Sequence, residues 1–161
     1  INQQYAVQWK GVVTMSYQHP SQEAIKELLR SSTNIAVVGL SDDPTRVSYM
    51  VAEAMQRKGY RIIPVNPKAE SILGEQCYAS LRDVPDHIDI VNVFRRSEYC
   101  ADIAREAAAV NAGAIWLQQG IVSEEAAAIA EEHGMTVVMD LCIKVLDSIL
   151  LPHGKSESAS T

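Results

Sequence analysis

Cysteine is scarce in this chain of 161 residues: Cys77, Cys100 and Cys142 stand far apart. An odd, dispersed set excludes a disulfide framework, and the lack of any CxxC pair excludes the common zinc modules. A reducing cytosol is the expected compartment. No apolar run approaches the roughly 20 residues of a membrane helix, so no membrane association is expected. The opening, INQQYAVQWKGVVTMSYQ, has neither the basic start nor the small-residue cleavage site of a secretory signal. Positive charge is the minority sign, with 14 Lys and Arg against 20 Asp and Glu and a net charge of −6. General nucleic-acid binding needs a clustered basic surface and is not expected; a local basic site for a small phosphate ligand is compatible with the same numbers. Catalytic signatures are also missing. His19, His87, His133 and His153 fall in connections or at element ends, and no Ser/His/Asp order or metal-ligand spacing stands out, so no catalytic or metal residue is expected.

What is present is globular: 47% of residues are apolar and 21% charged, in a length suited to one domain. Met15 is the expected natural start, with residues 1–14 an addition ahead of it. Residues 1–17 are read as a disordered N-terminal extension, 18–152 as a single domain, and the polar 153–161 as a disordered tail. Pro20-Ser21 opens a helix with Ile25, Leu28 and Leu29 on one face. Short β-branched runs predict five strands: 34–39, 60–65, 88–94, 114–117 and 135–140. Helices are predicted between them over 46–58, 97–111 and 123–132, with a last one over 141–151. Val47, Met50, Val51, Ala54 and Met55 give the first of these its apolar spacing, and Gly59 stops it. Only the 66–87 connection lacks a helical pattern, apart from a short turn ended before Pro85. Strands alternating with helices predict an α/β fold: a Rossmann-like three-layer sandwich around a five-stranded parallel sheet, expected order 3-2-1-4-5.

In such sheets ligands bind outside the carboxyl ends of the strands. After the first strand comes Gly39-Leu40-Ser41-Asp42-Asp43-Pro44-Thr45-Arg46-Val47-Ser48, with one glycine where a dinucleotide turn would carry three. A helix N-terminus offers unpaired N–H groups, Ser41 and Ser48 add hydroxyls, and Arg46 adds a planar cation suited to phosphate. Ser41 serves equally as a helix cap. Arg46 is read as a ligand residue, because a cation is unusual at a helix's positive end. After the second strand stand Asn66, Pro67 and Lys68, where an NAD site would place an acid. A cation there suits a ribose carrying an extra phosphate, as in NADP or coenzyme A. Taken alone it would be an exposed turn lysine. Phe94, Arg95 and Arg96 follow the third strand, and one of the arginines is a candidate phosphate contact. Trp116, Gln118 and Gly120 mark the fourth: Trp116 is read first as core or rim packing, and Gln118 and Gly120 stand where a turn can approach a ligand closely. Cys142, beside the last helix N-terminus, is read first as a packing cysteine.

VVGLSDDPTRVSY, GYRIIPVNPK, VNVFRR, IWLQQGI and VVMDLC occur in this order at five strand ends. Together they resemble the stand-alone CoA-binding domain proteins, which are similar to the first domain of the succinyl-CoA synthetase alpha subunit. The resemblance spans roughly residues 20–151 and implies a Rossmann-type fold that binds coenzyme A or an acyl-CoA. It implies cofactor-binding roles for Gly39, Ser41, Arg46, Ser48, Asn66, Pro67, Lys68, Phe94, Arg95, Trp116, Gln118 and Gly120. The arm of the coenzyme would run toward Trp116 and Gln118. Leu141 and Leu146 stand where the family pattern carries arginine and glutamate, which leaves the role of the last helix open. The synthetase's histidine chemistry is not implied here. The expected role is a coenzyme A carrier, sensor or subunit, with a protein partner or a second copy compatible with it. An NADP-linked reductase domain and an interaction module with a vestigial crevice are the alternatives.

Overall fold

The computed structural model describes residues 4–9 and 12–155; the expected tail lies outside them from residue 156 on. Where a disordered extension was expected over 1–17, the described residues form a hairpin. β1 (Gln4–Trp9) pairs antiparallel with β2 (Val12–Gln18), in a stretch whose Tyr, Val, Trp and Thr favour pleated backbone. Its end is anchored: the buried Tyr17 hydroxyl donates to Val137 O at 2.7 Å. α1 (Gln22–Ser31) follows, its first turn capped by Ser21, which accepts from Ala24 N.

The five apolar runs become short parallel strands. In chain order come β3 (Asn34–Val38), α2 (Val47–Arg57), β4 (Arg61–Val65), a small hairpin of β5 (Ser71–Ile72) and β6 (Glu75–Gln76), and one 3-10 turn at Leu81–Asp83. Then come β7 (Ile90–Val93), α3 (Ser97–Ala109), β8 (Ala114–Leu117), α4 (Glu124–Glu132), β9 (Thr136–Val138) and α5 (Ile143–Leu150). The order in the sheet is β4-β3-β7-β8-β9, that is 2-1-3-4-5 and not the expected 3-2-1-4-5. β3 is interior, with Ile35 paired to Ile62 on one side and Ile90 on the other.

The physical reason for the correction lies in Pro64. Proline cannot donate to a ladder, so a strand containing it belongs at an edge; the expected order would have buried that strand between two neighbours. At the observed edge Pro64 needs only to accept, and it does so from Tyr78 N at 3.0 Å. The new order also moves the crevice. The reversal in strand order now falls between β3 and β7, so the loops after these two strands face each other.

Alternation in the strands splits the core in two. Ala36, Val38, Val91, Val93 and Ile115 pack with α3 and α4 on one face. Ile35, Val37, Ile90 and Trp116 pack with α1, α2 and α5 on the other. Each fully buried Ile or Leu contributes about 1.5–3 kcal/mol. α2 sits differently from its apolar spacing: Val51, Ala52 and Met55 are buried, whereas Val47 is 62% exposed and Met50 lies outside the core as well. Among the described residues no helix is long and apolar enough to cross a membrane.

Candidate functional site

Gly39 ends β3 with φ +84°, and a Cβ there would lie 2.7 Å from Phe94 O and 3.0 Å from Arg95 Cδ. The single glycine of this turn is therefore required twice, by its left-handed backbone and by the close approach of the loop after β7. The rest of the loop braces itself. Ser41 N donates to Ser48 Oγ at 3.0 Å, Asp43 N to Ser41 Oγ at 3.0 Å, and Thr45 N to Asp43 Oδ1 at 2.9 Å. The Thr45 N–H and hydroxyl hold the Asp43 carboxyl below its usual range. Ser41 thus shapes a turn and does not cap α2. The N-cap is Arg46, extended and without a side-chain cap bond, and no acid occupies the first turn. The orphan N–H groups at this helix start are left without the serine that serves α1 and α4.

The loop after β4 is tied to the first one. Asn66 Nδ2 donates to Leu40 O at 2.9 Å, while its Oδ1 accepts from Lys68 N at 2.7 Å. Asn66 is thus a clamp between the two loops, and Pro67 and Lys68 line the cavity it closes. After β7, the Arg95 guanidinium lies 4.4 Å over the Tyr99 ring and its stem lies against Gly39. Arg96 is paired with Glu98 at 3.5 Å. Among the described residues Arg46, Lys68 and Arg95 form no salt bridge, in contrast to Arg96.

At β8 the expected residues separate. Trp116 is fully buried and its indole N–H donates to Leu141 O at 2.9 Å. It is a core residue that fixes the start of α5, and the structure does not bring it to the crevice. The expected arm contact at Trp116 is corrected accordingly. The apolar face of the ring has to be covered, and β8 is interior, so it points into the helix layer. Gln118 does reach the crevice, at 5% exposure. Gly120, with φ +88°, is held by its N–H donating to Asp140 Oδ1 at 2.8 Å.

Three adjoining cavities run along this edge. The first, about 640 Å³, lies between the ends of β3, β4 and β7, where Ser41, Lys68, Arg95 and Tyr99 meet. The second, about 390 Å³, sits on the α2 start at Ser41, Arg46, Ser48 and Phe94. The third, about 660 Å³, continues past Val47 and Phe94 to Gln118, Gly120 and Cys142. Shared walls at Gly39, Phe94 and Arg95 make them one groove. Eleven of the twelve expected residues are thus on or braced against it, and Trp116 is not. The residues missed in the sequence are Val47 and Tyr99, exposed apolar side chains on the first turns of α2 and α3. Position alone gave no signal for them, since Ile143 opens α5 in the same way and is fully buried.

A family profile described as "CoA binding domain" matches residues 33–148. The uncharacterized protein YneT of Bacillus subtilis is 52% identical over 132 residues, covering 82% of this chain and 98% of that one. The alpha subunit of ADP-forming acetate–CoA ligase II of Pyrococcus furiosus is 22% identical, covering 71% of this chain but 27% of its own. Among solved structures, a hypothetical protein from Pyrococcus horikoshii OT3 superposes with a TM-score of 0.80 at 33% identity, covering 82% of this chain and 93% of that one. The apo dinucleotide-forming acetyl-coenzyme A synthetase 1 of Ca. Korarchaeum cryptofilum gives 0.61 at 26% identity, covering 69% of this chain and 26% of that one.

Proposed function

Because the chain belongs to the CoA-binding-domain family, we propose that it binds coenzyme A in the groove along the carboxyl edge of its sheet. The observation that carries this reading is a row of three cations without salt bridges along the groove, Arg46 in the cavity on the uncapped start of α2 and Lys68 and Arg95 in the adjoining first cavity. Left-handed Gly39 lets the backbone approach there. A pyrophosphate satisfies such a helix start, and the fork of Arg46 matches phosphate oxygens. Lys68, across the clamp made by Asn66, serves the ribose 3′-phosphate. The adenine enters the first cavity beside Tyr99, and the pantetheine arm runs past Phe94 and Val47 toward Gln118 and Gly120.

The NADP alternative finds no support among the relatives, of which those named as enzymes include CoA ligases and synthetases. The reading assigns binding by a cytosolic domain over 18–152, and no reaction. The ligase relatives are far longer than this chain, so a role as one part of a larger acyl-CoA system is consistent with it. Calorimetric titration with coenzyme A, dephospho-coenzyme A and NADPH tests the proposal. Coenzyme A is expected to bind tightest, and dephospho-coenzyme A more weakly for want of the Lys68 contact. No heat from coenzyme A at millimolar concentration would overturn it.

A further inference from the structure

We infer that Cys142 is a capture site for the thiol end of coenzyme A, forming a mixed disulfide in the third cavity. This rests on the coenzyme A reading above. Cys142 is half-buried, lines that cavity, and stands at the N-cap of α5 with no side-chain cap bond. A second, independent feature points to a ligand there. Gln118, 5% exposed, accepts through Oε1 from Asn92 Nδ2 at 3.2 Å and from Ile143 N at 3.3 Å. A backbone N–H can only donate, so the oxygen of Gln118 must face Ile143 and its Nε2 must face away. That Nε2 has no hydrogen-bond partner among the described residues, yet it is not sealed from solvent like a buried orphan. It opens on the cavity that Gln118 lines. A buried amide donor left open in this way fits a carbonyl oxygen, and the pantetheine arm carries two amide carbonyls close to its thiol.

The reach is right. From the loop after β3 to the start of α5 the groove crosses three strand spacings, about 14 Å. The arm has the length of four or five extended residues, on the order of 15 Å. An arm held at its phosphate by Arg46 therefore ends beside Cys142. The other cysteines are poorly placed: Cys100 is fully buried and its thiol is pushed up to about 11 by burial, and burial pushes Cys77 up as well. The step is an exchange with coenzyme A disulfide, which supplies the oxidising equivalents. The Cys142 thiolate attacks one sulfur, the old S–S bond breaks, and a new one joins Cys142 to coenzyme A. The second coenzyme A leaves as a thiolate and takes up the proton that Cys142 released.

The test incubates reduced protein with coenzyme A disulfide or with an equal concentration of glutathione disulfide, and follows intact mass and the modified peptide. The expected result is a mass gain of one coenzyme A less two hydrogens on the Cys142 peptide, reversed by dithiothreitol. It should form at least tenfold faster than the glutathione adduct. Cys142→Ser should abolish it, and Arg46→Ala should slow the coenzyme A reaction by a larger factor than the glutathione reaction. An adduct on Cys77, equal rates with both disulfides, or no adduct would overturn the inference. Titration of the reduced wild-type protein with coenzyme A separates the two failures: binding without capture sinks only the inference, and no binding sinks the reading beneath it.

Discussion

Gly39 has to accommodate both a left-handed backbone and the carbonyl of Phe94 at a distance no Cβ tolerates. Gly39→Ala is expected to cost about 1–3 kcal/mol of stability, read as a drop in urea midpoint. Coenzyme A affinity should fall with it, because the two loops would be pushed apart. Arg46→Ala and Lys68→Ala should leave the urea midpoint in place, since neither side chain forms a salt bridge. Each should weaken coenzyme A binding about tenfold to a hundredfold by calorimetry. The Lys68 variant should bind coenzyme A and dephospho-coenzyme A alike, and the Arg46 variant should weaken both. Arg46 was legible in the sequence because a cation is unusual at a helix's positive end, whereas Lys68, alone an ordinary turn lysine, stood out only beside a second cationic loop. For Trp116 the residue reading favoured packing while the family resemblance placed it in the site, and the packing of α5 against β8 decides for the core.

Elements carry their own consequences. Pro64 marks β4 as an edge, and that signal was present in the strand from the start. The segment around Tyr78 covers this edge, pairing with Pro64 and Asn66, so β4 does not offer a bare row of donors for aggregation. At the other edge the hairpin β1–β2 ends in Tyr17 and His19, whose rings meet edge to face. Burial lowers the His19 pKa from its ordinary 6.5, opposed in part by the charge of Asp140. A histidine whose folded pKa is depressed stabilises the fold only while neutral. Its contribution is complete above about pH 6.5 and is lost as pH falls toward the folded value. The urea midpoint should therefore fall between about pH 7 and pH 5, and His19→Phe should flatten that slope. An equal slope in the variant would remove His19 from the account. Asp140 also accepts from the Gly120 N–H, which ties the loop after β8 to the end of β9.

For the whole molecule, the interior strands β3, β7 and β8 are paired on both sides, whereas β4 and β9 stand at the edges. Native-state hydrogen exchange should find the slowest amides in Val37, Val91 and Ile115, with β9 and the β5–β6 hairpin opening first. Coenzyme A should slow exchange in the loops 39–46 and 66–68 more than in the core, because those loops are where its phosphates would be held. Exchange unchanged there at saturating coenzyme A would contradict the groove assignment. The match of family profile and fold over most of the chain fits a unit whose site is built by its own strand ends.

Apolar runs, their β-branched content and their spacing determined by themselves that five parallel strands alternate with helices, since strands buried on both faces have nothing polar to show. Arg46 was marked as a cation at a helix start, and Lys68 only through its company with that loop. Strand order was decided only in three dimensions: parallel crossovers place no local constraint on which neighbour a strand joins, beyond hints such as Pro64. That order set the loops after β3 and β7 face to face. It also left the Nε2 of Gln118 open on the groove and sent Trp116 into the core, because a side chain's destination depends on which helix covers its face.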